Sequence, residues 1–269
     1  MSDIYDKSLL GADLATLIEV APHKLLLYTV LPEQQRIVEE MTRQQSESRL
    51  WFRMRIGRVT ASRFKAASRT CPDSPSKSLI LIICHPELGK FSTAATRLGC
   101  HHEKQARDAY ESFQRTKHEA FKVEECGFFI NVDHDFIGAS PDGLVNCKCC
   151  GNGVCEIKCP YCHKDDTLDT SLADKDFCLE EKPVGKRLKR KHCYYYQVQA
   201  QLFCSARSYC DFVVWSEKML YIERILPDEK FWKENVSRVE KFIIKGILPE
   251  LLGKFYSCTH QDKRIRLNV

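Results

Sequence analysis

Apolar residues recur at helical spacing at the start of the chain, alternate with polar ones in its middle, and return to helical spacing at its end. "ATLIEVAPHKLLLYTVL" and "PEQQRIVEEMTRQQSESRLWFRMR" both carry the helical period, and Pro32 stands where a first turn needs no backbone N–H. Residues 1–48 therefore read as an N-terminal helical segment packed on a core spanning 49–269. In "RIGRVTASRFKAAS", Thr60 or Ser62 precedes a helical pattern as a candidate N-cap. Positions 91–117 read as a long amphipathic helix with a break expected at Gly99.

The strand signals follow. "FKVEECGFFINVDHDFIGAS" alternates, "GVCEIKCP" is a short strand, and "SYCDFVVWSEKMLYIERIL" gives two strands joined by a turn at residues 216–218. "KHCYYYQVQAQLFCSA" between them is helical, and "DEKFWKENVSRVEKFIIKGILPELLG" is a closing helix. Helices first, then a sheet interleaved with helices, predict one α/β domain with a mixed central sheet.

Composition narrows this only a little. With 269 residues and 43% hydrophobic content, the chain can build a sizeable core. A net charge of +5 permits a polyanionic partner without establishing one. The apolar run "LILIIC" is too short for a bilayer, and the N-terminus lacks the basic-then-apolar signature of a secretory leader. The expectation is a soluble intracellular protein, nuclear in a eukaryotic host, with no membrane partner. Fifteen cysteines, an odd number in a long chain, then read mostly as reduced thiols.

The chemistry concentrates in "GASPDGLVNCKCCGNGVCEIKCP". Pro141, Asp142 and Gly143 form a tight turn, while Glu156 and Lys158 share one face of the following strand because side chains there alternate. If the two strands form a hairpin, Asp142 lies near Glu156. Two adjacent carboxylates would repel unless a cation lay between them, and Mg²⁺ prefers such oxygen ligands, with Mn²⁺ able to substitute. Lys158 could then stabilise charge at a phosphoryl centre or help deprotonate water, which is the logic of phosphodiester hydrolysis.

The same stretch carries cysteines at metal-like spacing. Cys150 and Cys159 flank the strand bearing Glu156 and would stand roughly 30 Å apart if extended, too far for one ion. A local zinc site of Cys147, Cys149, Cys150 and Cys155 remains open beside a purely structural role. The basic run Lys186, Arg187, Lys189, Arg190 and Lys191 reads as a DNA-backbone contact, a solvated charge run or a nuclear-import signal.

Pro141, Asp142, Glu156, Ile157 and Lys158 match the PD-(D/E)XK nuclease pattern. Together with "RIGRVTAS" and "YYYQVQAQLF", in this order over about residues 49–215, the chain resembles the YqaJ-type viral recombinase and phage lambda exonuclease family. The resemblance implies a restriction-endonuclease-like core holding two Mg²⁺ ions through Glu103, Asp142, Glu156 and the Ile157 carbonyl. It also implies a catalytic Lys158, a Gln197 packed at the centre, and a 5′-phosphate pocket of Arg55, Thr60 and Ser62. The activity implied is a 5′→3′ exonuclease on duplex DNA with free ends, leaving 3′ tails for recombination or repair. The resemblance further points to a single-strand annealing protein as a partner, and one branch of the family alone suggests a trimer, other branches acting as monomers. A structure-selective endonuclease, an RNA-directed nuclease and a silent DNA-binding module are the competing readings. The helical residues 1–48 and the cysteine-rich insert have no counterpart in the short phage enzyme.

Overall fold

A computed structural model describes residues 1, 4–26, 29–86 and 94–258, with backbone alone for 94–101. Five strands form the main sheet in the order β10-β9-β6-β5-β2, where β2 is Lys122–Glu124, β5 Gly143–Cys147, β6 Gly151–Lys158, β9 Cys210–Ser216 and β10 Met219–Ile225. Only the β6–β9 pair is parallel; the other neighbours run antiparallel. A parallel pair needs a crossover, and helix α8 (Cys193–Ser205) lies within it. A smaller sheet, β1 (Val59–Thr60), β4 (Ile137–Ala139) and β3 (Phe129–Ile130), lies beside α8. No helix among the described residues is long and apolar enough to cross a membrane.

The two faces of the main sheet carry different cores. On one, Ala106 and Tyr110 of helix α6 (Ala94–Arg115) pack with Val145, Cys155, Ile157 and Val213. On the other, Val154, Phe212 and Val214 pack with Val198 and Leu202 of α8, and that core continues into α4 (Phe64–Arg69), α9 (Glu229–Phe242) and α1 (Leu14–Leu26). Strand alternation along β6 therefore sends Val154, Glu156 and Lys158 toward α8, and Cys155 and Ile157 toward α6.

The N-terminal helices are joined to this body. Leu17 and Ala21 of α1 are fully buried, and in α2 (Pro32–Met41) Glu39 accepts the Gly127 N–H at 2.9 Å. Pro32 does open a helix. Three expectations needed correction. Gly99 does not interrupt α6, since a single interior glycine costs only about 1 kcal/mol in a helix 22 residues long. The alternating stretch 121–140 is broken into β2, β3 and β4, and the closing helix passes through a π-helical turn at Ile243–Ile247 before α10 (Leu248–Gly253).

Candidate active site

The turn at Asp142 and the strand β6 meet as a hairpin, with Gly143 opposite Cys155. The Asp142 N–H donates to the Cys155 carbonyl at 3.0 Å, and the Ile157 N–H donates to Asp142 Oδ2 at 2.6 Å. These two bonds fix the aspartate beside the glutamate strand. Burial, then the negative charge of Glu156, pushes the Asp142 pKa well above the usual carboxylate range; Lys158 opposes this and Glu103 reinforces it.

Glu156 is 1% exposed, so its charge needs partners. Gln197 donates to Oε1 at 2.5 Å, Gln201 donates to Oε2, and Lys158 pairs with Oε1. A cation therefore does stand beside the acidic pair, and it is the site's own lysine. Burial disfavours the charge on Lys158, but Glu156 and Asp142 override it and raise the pKa above the ordinary lysine value. The ammonium also lies 4.8 Å from the Tyr194 ring centre. Tyr196 is the core member of the tyrosine trio.

Gln201 was not visible as a site residue from the motif alone. It lies four positions after Gln197, so the two share a helix face, and that i, i+4 relation was the available signal. Gln199 between them points elsewhere, donating to the Leu226 carbonyl and accepting the Asp228 N–H.

Glu103 reaches the same place from α6. It lines a cleft of about 250 Å³ together with Asp142, Arg43 and Arg107, and pairs with Arg107 at 3.2 Å. Glu111, the next glutamate on this helix two turns further along, pairs instead with Arg115. His102 bonds Gln105 at 2.7 Å, while the His101 side chain lies outside the described residues. Glu103 and Asp142 line the cleft, and Glu156, buried beside Asp142, adds a third carboxylate; such an oxygen-rich set suits a hard divalent cation. Ile157 contributes its N–H to Asp142 here; a role for its carbonyl rests on the resemblance.

Arg55, Thr60 and Ser62 are brought together in a second cavity of about 210 Å³, joined there by Arg58 and Arg63. The hydroxyls do not cap α4: Thr60 and Ser62 face each other at 3.2 Å, and no side chain caps that helix. The cavity is thus arginine-built instead of a helix-terminus anion site. Burial, with Arg63 nearby, lowers the Arg55 pKa to about 10, and burial does the same to Arg58, so both stay charged at neutral pH. Arg58 is held by the Asp135 and Met54 carbonyls. Arg55 lies 3.8 Å above Trp51, whose indole N–H donates to Ser140 at 2.8 Å, two residues before Asp142. That chain of contacts links the basic pocket to the acidic centre.

The run 186–191 forms part of a hairpin, β7 (Leu179–Lys182) with β8 (Gly185–Leu188). Lys186 pairs with Asp169, Arg187 with Glu180 and Arg190 with Asp228; Lys189 donates to the Lys175 and Phe177 carbonyls, and Lys191 is exposed. Most of its cations are engaged within the protein.

The cysteines divide differently from the sequence expectation. Cys147, Cys149 and Cys150 cluster with His118, all ligand atoms lying within 4.8 Å of one another. Hydrogen bonding from His118, then from the Glu119 backbone, lowers the Cys149 pKa to about 6. Cys155 belongs to the core under α6: it shares that sheet face with Cys147 but stands opposite Gly143, four positions down the hairpin from the tip and out of reach of the cluster.

The YqaJ-like viral recombinase domain matches residues 50–208. The uncharacterized protein R354 of Acanthamoeba polyphaga mimivirus is 24% identical over 184 residues, covering 66% of this chain but only 30% of that protein's length. Among solved structures, LHK-Exo in complex with dAMP matches with a TM-score of 0.56 at 27% identity, over 76% of this chain and 96% of that one. The alkaline exonuclease LHK-Exo from Laribacter hongkongensis matches at 0.55 and 26%, over 82% and 100%. The shutoff and exonuclease protein of Kaposi's sarcoma associated herpesvirus, 12% identical with a TM-score of 0.53 over 83% and 75%, shares the fold. The matched span takes in the acidic pair, the lysine, the glutamine helix and the arginine pocket, and on it the chain belongs to the YqaJ-like viral recombinase family, with a PD-(D/E)XK nuclease fold.

Proposed function

We propose that the chain is a metal-dependent deoxyribonuclease that degrades linear duplex DNA from its 5′ ends and leaves 3′ single-stranded tails. The observation that carries this reading is the convergence of Asp142, Glu156 and Lys158 at one end of the β5–β6 hairpin, with Glu103 facing Asp142 across the cleft. Asp142, Glu156 and Glu103 would hold Mg²⁺, with Mn²⁺ able to replace it and two ions the full complement. The ion would supply Lewis-acid polarisation of the phosphoryl oxygen and a lowered pKa for attacking water.

The protein's own groups do the rest. Gln197 and Gln201 fix the Glu156 carboxylate, and the Ile157 N–H fixes Asp142, so the oxygen positions are set before substrate arrives. Lys158 is protonated in this state, so it supplies positive charge to the pentavalent phosphorus centre; it becomes a base only if the cation displaces it from Glu156. Arg55, Arg58 and the Thr60 and Ser62 hydroxyls form an anion pocket fit for a terminal phosphate, which accounts for a requirement for ends.

The test is degradation of end-labelled linear duplex, with and without a 5′-phosphate, in Mg²⁺ against EDTA, beside a nicked circle. Cleavage is expected only with Mg²⁺, from the 5′ end, faster with the phosphate, and absent in Asp142→Ala and Lys158→Ala proteins that still bind DNA. Equal cutting of the nicked circle would instead establish an endonuclease, and full activity in either variant would remove these residues from the centre.

A further inference from the structure

The tip of the β5–β6 hairpin holds a second cluster whose chemistry is sulfur and imidazole instead of carboxylate. Cys147 ends β5, Cys149 and Cys150 form the turn, and Gly151 closes it with φ +76, a left-handed conformation that glycine adopts without strain. His118 comes from the segment that follows α6. That segment is bound to the tip independently of any ligand: the Lys148 N–H donates to the Glu119 carbonyl at 3.0 Å, and Lys148 pairs with the Glu119 carboxylate.

The four groups are as compact as a coordination tetrahedron requires, all ligand atoms lying within 4.8 Å of one another. With Zn–S of about 2.3 Å and Zn–N of about 2.05 Å, tetrahedral edges come to ~3.8 Å between sulfurs and ~3.6 Å between sulfur and nitrogen. Here Cys147 Sγ to Cys149 Sγ is 3.2 Å, Cys149 Sγ to Cys150 Sγ is 3.9 Å, and His118 Nδ1 lies 3.3 Å from Cys149 Sγ and 3.4 Å from Cys150 Sγ. Beside the cluster, Arg224 is clamped on Asp211 at 2.8 and 2.9 Å.

We infer that His118, Cys147, Cys149 and Cys150 form a closed structural zinc site, with one ion per chain. All four positions are filled by protein, so the ion takes no part in hydrolysis. Its effect is mechanical. It clamps the end of α6, the helix that carries Glu103, to the hairpin that carries Asp142 and Glu156, and so fixes the width of the cleft between them. This inference stands whether or not the chain cuts DNA.

The experiment is metal analysis of the full-length protein purified without chelators, with Co²⁺ substitution to read the ligand set. About one zinc per chain is expected, together with the ligand-field bands of a tetrahedral thiolate-rich cobalt site. Cys149→Ser with Cys150→Ser, or His118→Ala, should lose the zinc, while Asp142→Asn with Glu156→Gln should keep it. His118→Cys should also keep it, since four cysteines serve zinc equally well, and it settles the matter should the alanine variant fail to fold. A zinc-free protein with all these thiols titratable, a Cys147–Cys149 disulfide, or zinc retained in the Cys149/Cys150 variant would each overturn the assignment.

Discussion

Gln201 donates its side-chain N–H to Glu156 Oε2, the carboxylate oxygen that Lys158 and Gln197 leave to it. Both residues are almost completely buried, so neither can turn to water for a substitute. Gln201→Ala is therefore expected to strand a buried carboxylate oxygen and to cost roughly 1–3 kcal/mol of stability. Urea denaturation of the two proteins measures it. Cleavage should fall as well, because Glu156 becomes free to rotate; a variant as stable and as active as the parent would show that Gln201 only fills space.

The part of this centre that could be read from the sequence is the part built by local geometry. Asp142 in a turn, and Glu156 and Lys158 two apart on a strand, need only the alternation of a hairpin to come together. The β9–β10 pair and the glutamine helix likewise follow from period alone. What escaped is built by the tertiary fold. Arg58 and Arg63 join Arg55 only once β1 pairs with β4, and His118 meets cysteines about thirty positions away only because α6 ends against the hairpin tip. The β7–β8 hairpin was hidden because its strands alternate charges with few apolar residues, which reads as a basic loop.

Glu103 and Glu111 separate cleanly by position. Glu103 lines the cleft with Asp142, whereas Glu111 is spent on Arg115. Loss of an outer-shell partner alone costs 10–100-fold, so Glu103→Gln should lower the cleavage rate by roughly 100-fold or more. Glu111→Gln should leave it within about twofold, since an exposed helical ion pair contributes little. Single-turnover assays across a Mg²⁺ titration make the comparison, and a reversed order would move the third carboxylate to Glu111.

The arginine pocket predicts a selectivity instead of an overall loss. A charge-assisted bond to a phosphate contributes about 1.5–3 kcal/mol. Arg55→Ala should therefore raise KM for 5′-phosphorylated ends by roughly ten- to hundredfold and leave 5′-hydroxyl ends almost unaffected. Lys191→Ala, an exposed cation of the basic run, should weaken both ends alike and reduce the salt dependence of binding. If Arg55→Ala treated the two ends alike, the pocket would not be where the terminus is recognised.

His192 gives the protein a pH dependence whose direction is fixed by its surroundings. Its Nδ1 accepts the Tyr194 N–H at 3.2 Å and so caps α8, the helix that carries Gln197 and Gln201. Burial, then the charges of Lys65, Lys189 and Lys158, lowers its pKa from 6.5 to about 4. The unfolded chain takes up a proton below about 6.5 that the folded chain refuses until about 4. Stability from this group is thus fully present above 6.5 and is lost as the pH falls through that window. His192→Asn keeps a capping side chain that does not titrate. Its stability should track the parent above pH 7 and fall less steeply between 6.5 and 4, as read by urea midpoints at each pH. Parallel curves for the two proteins across that range would mean that His192 titrates normally and that another group sets the acid limit of the fold.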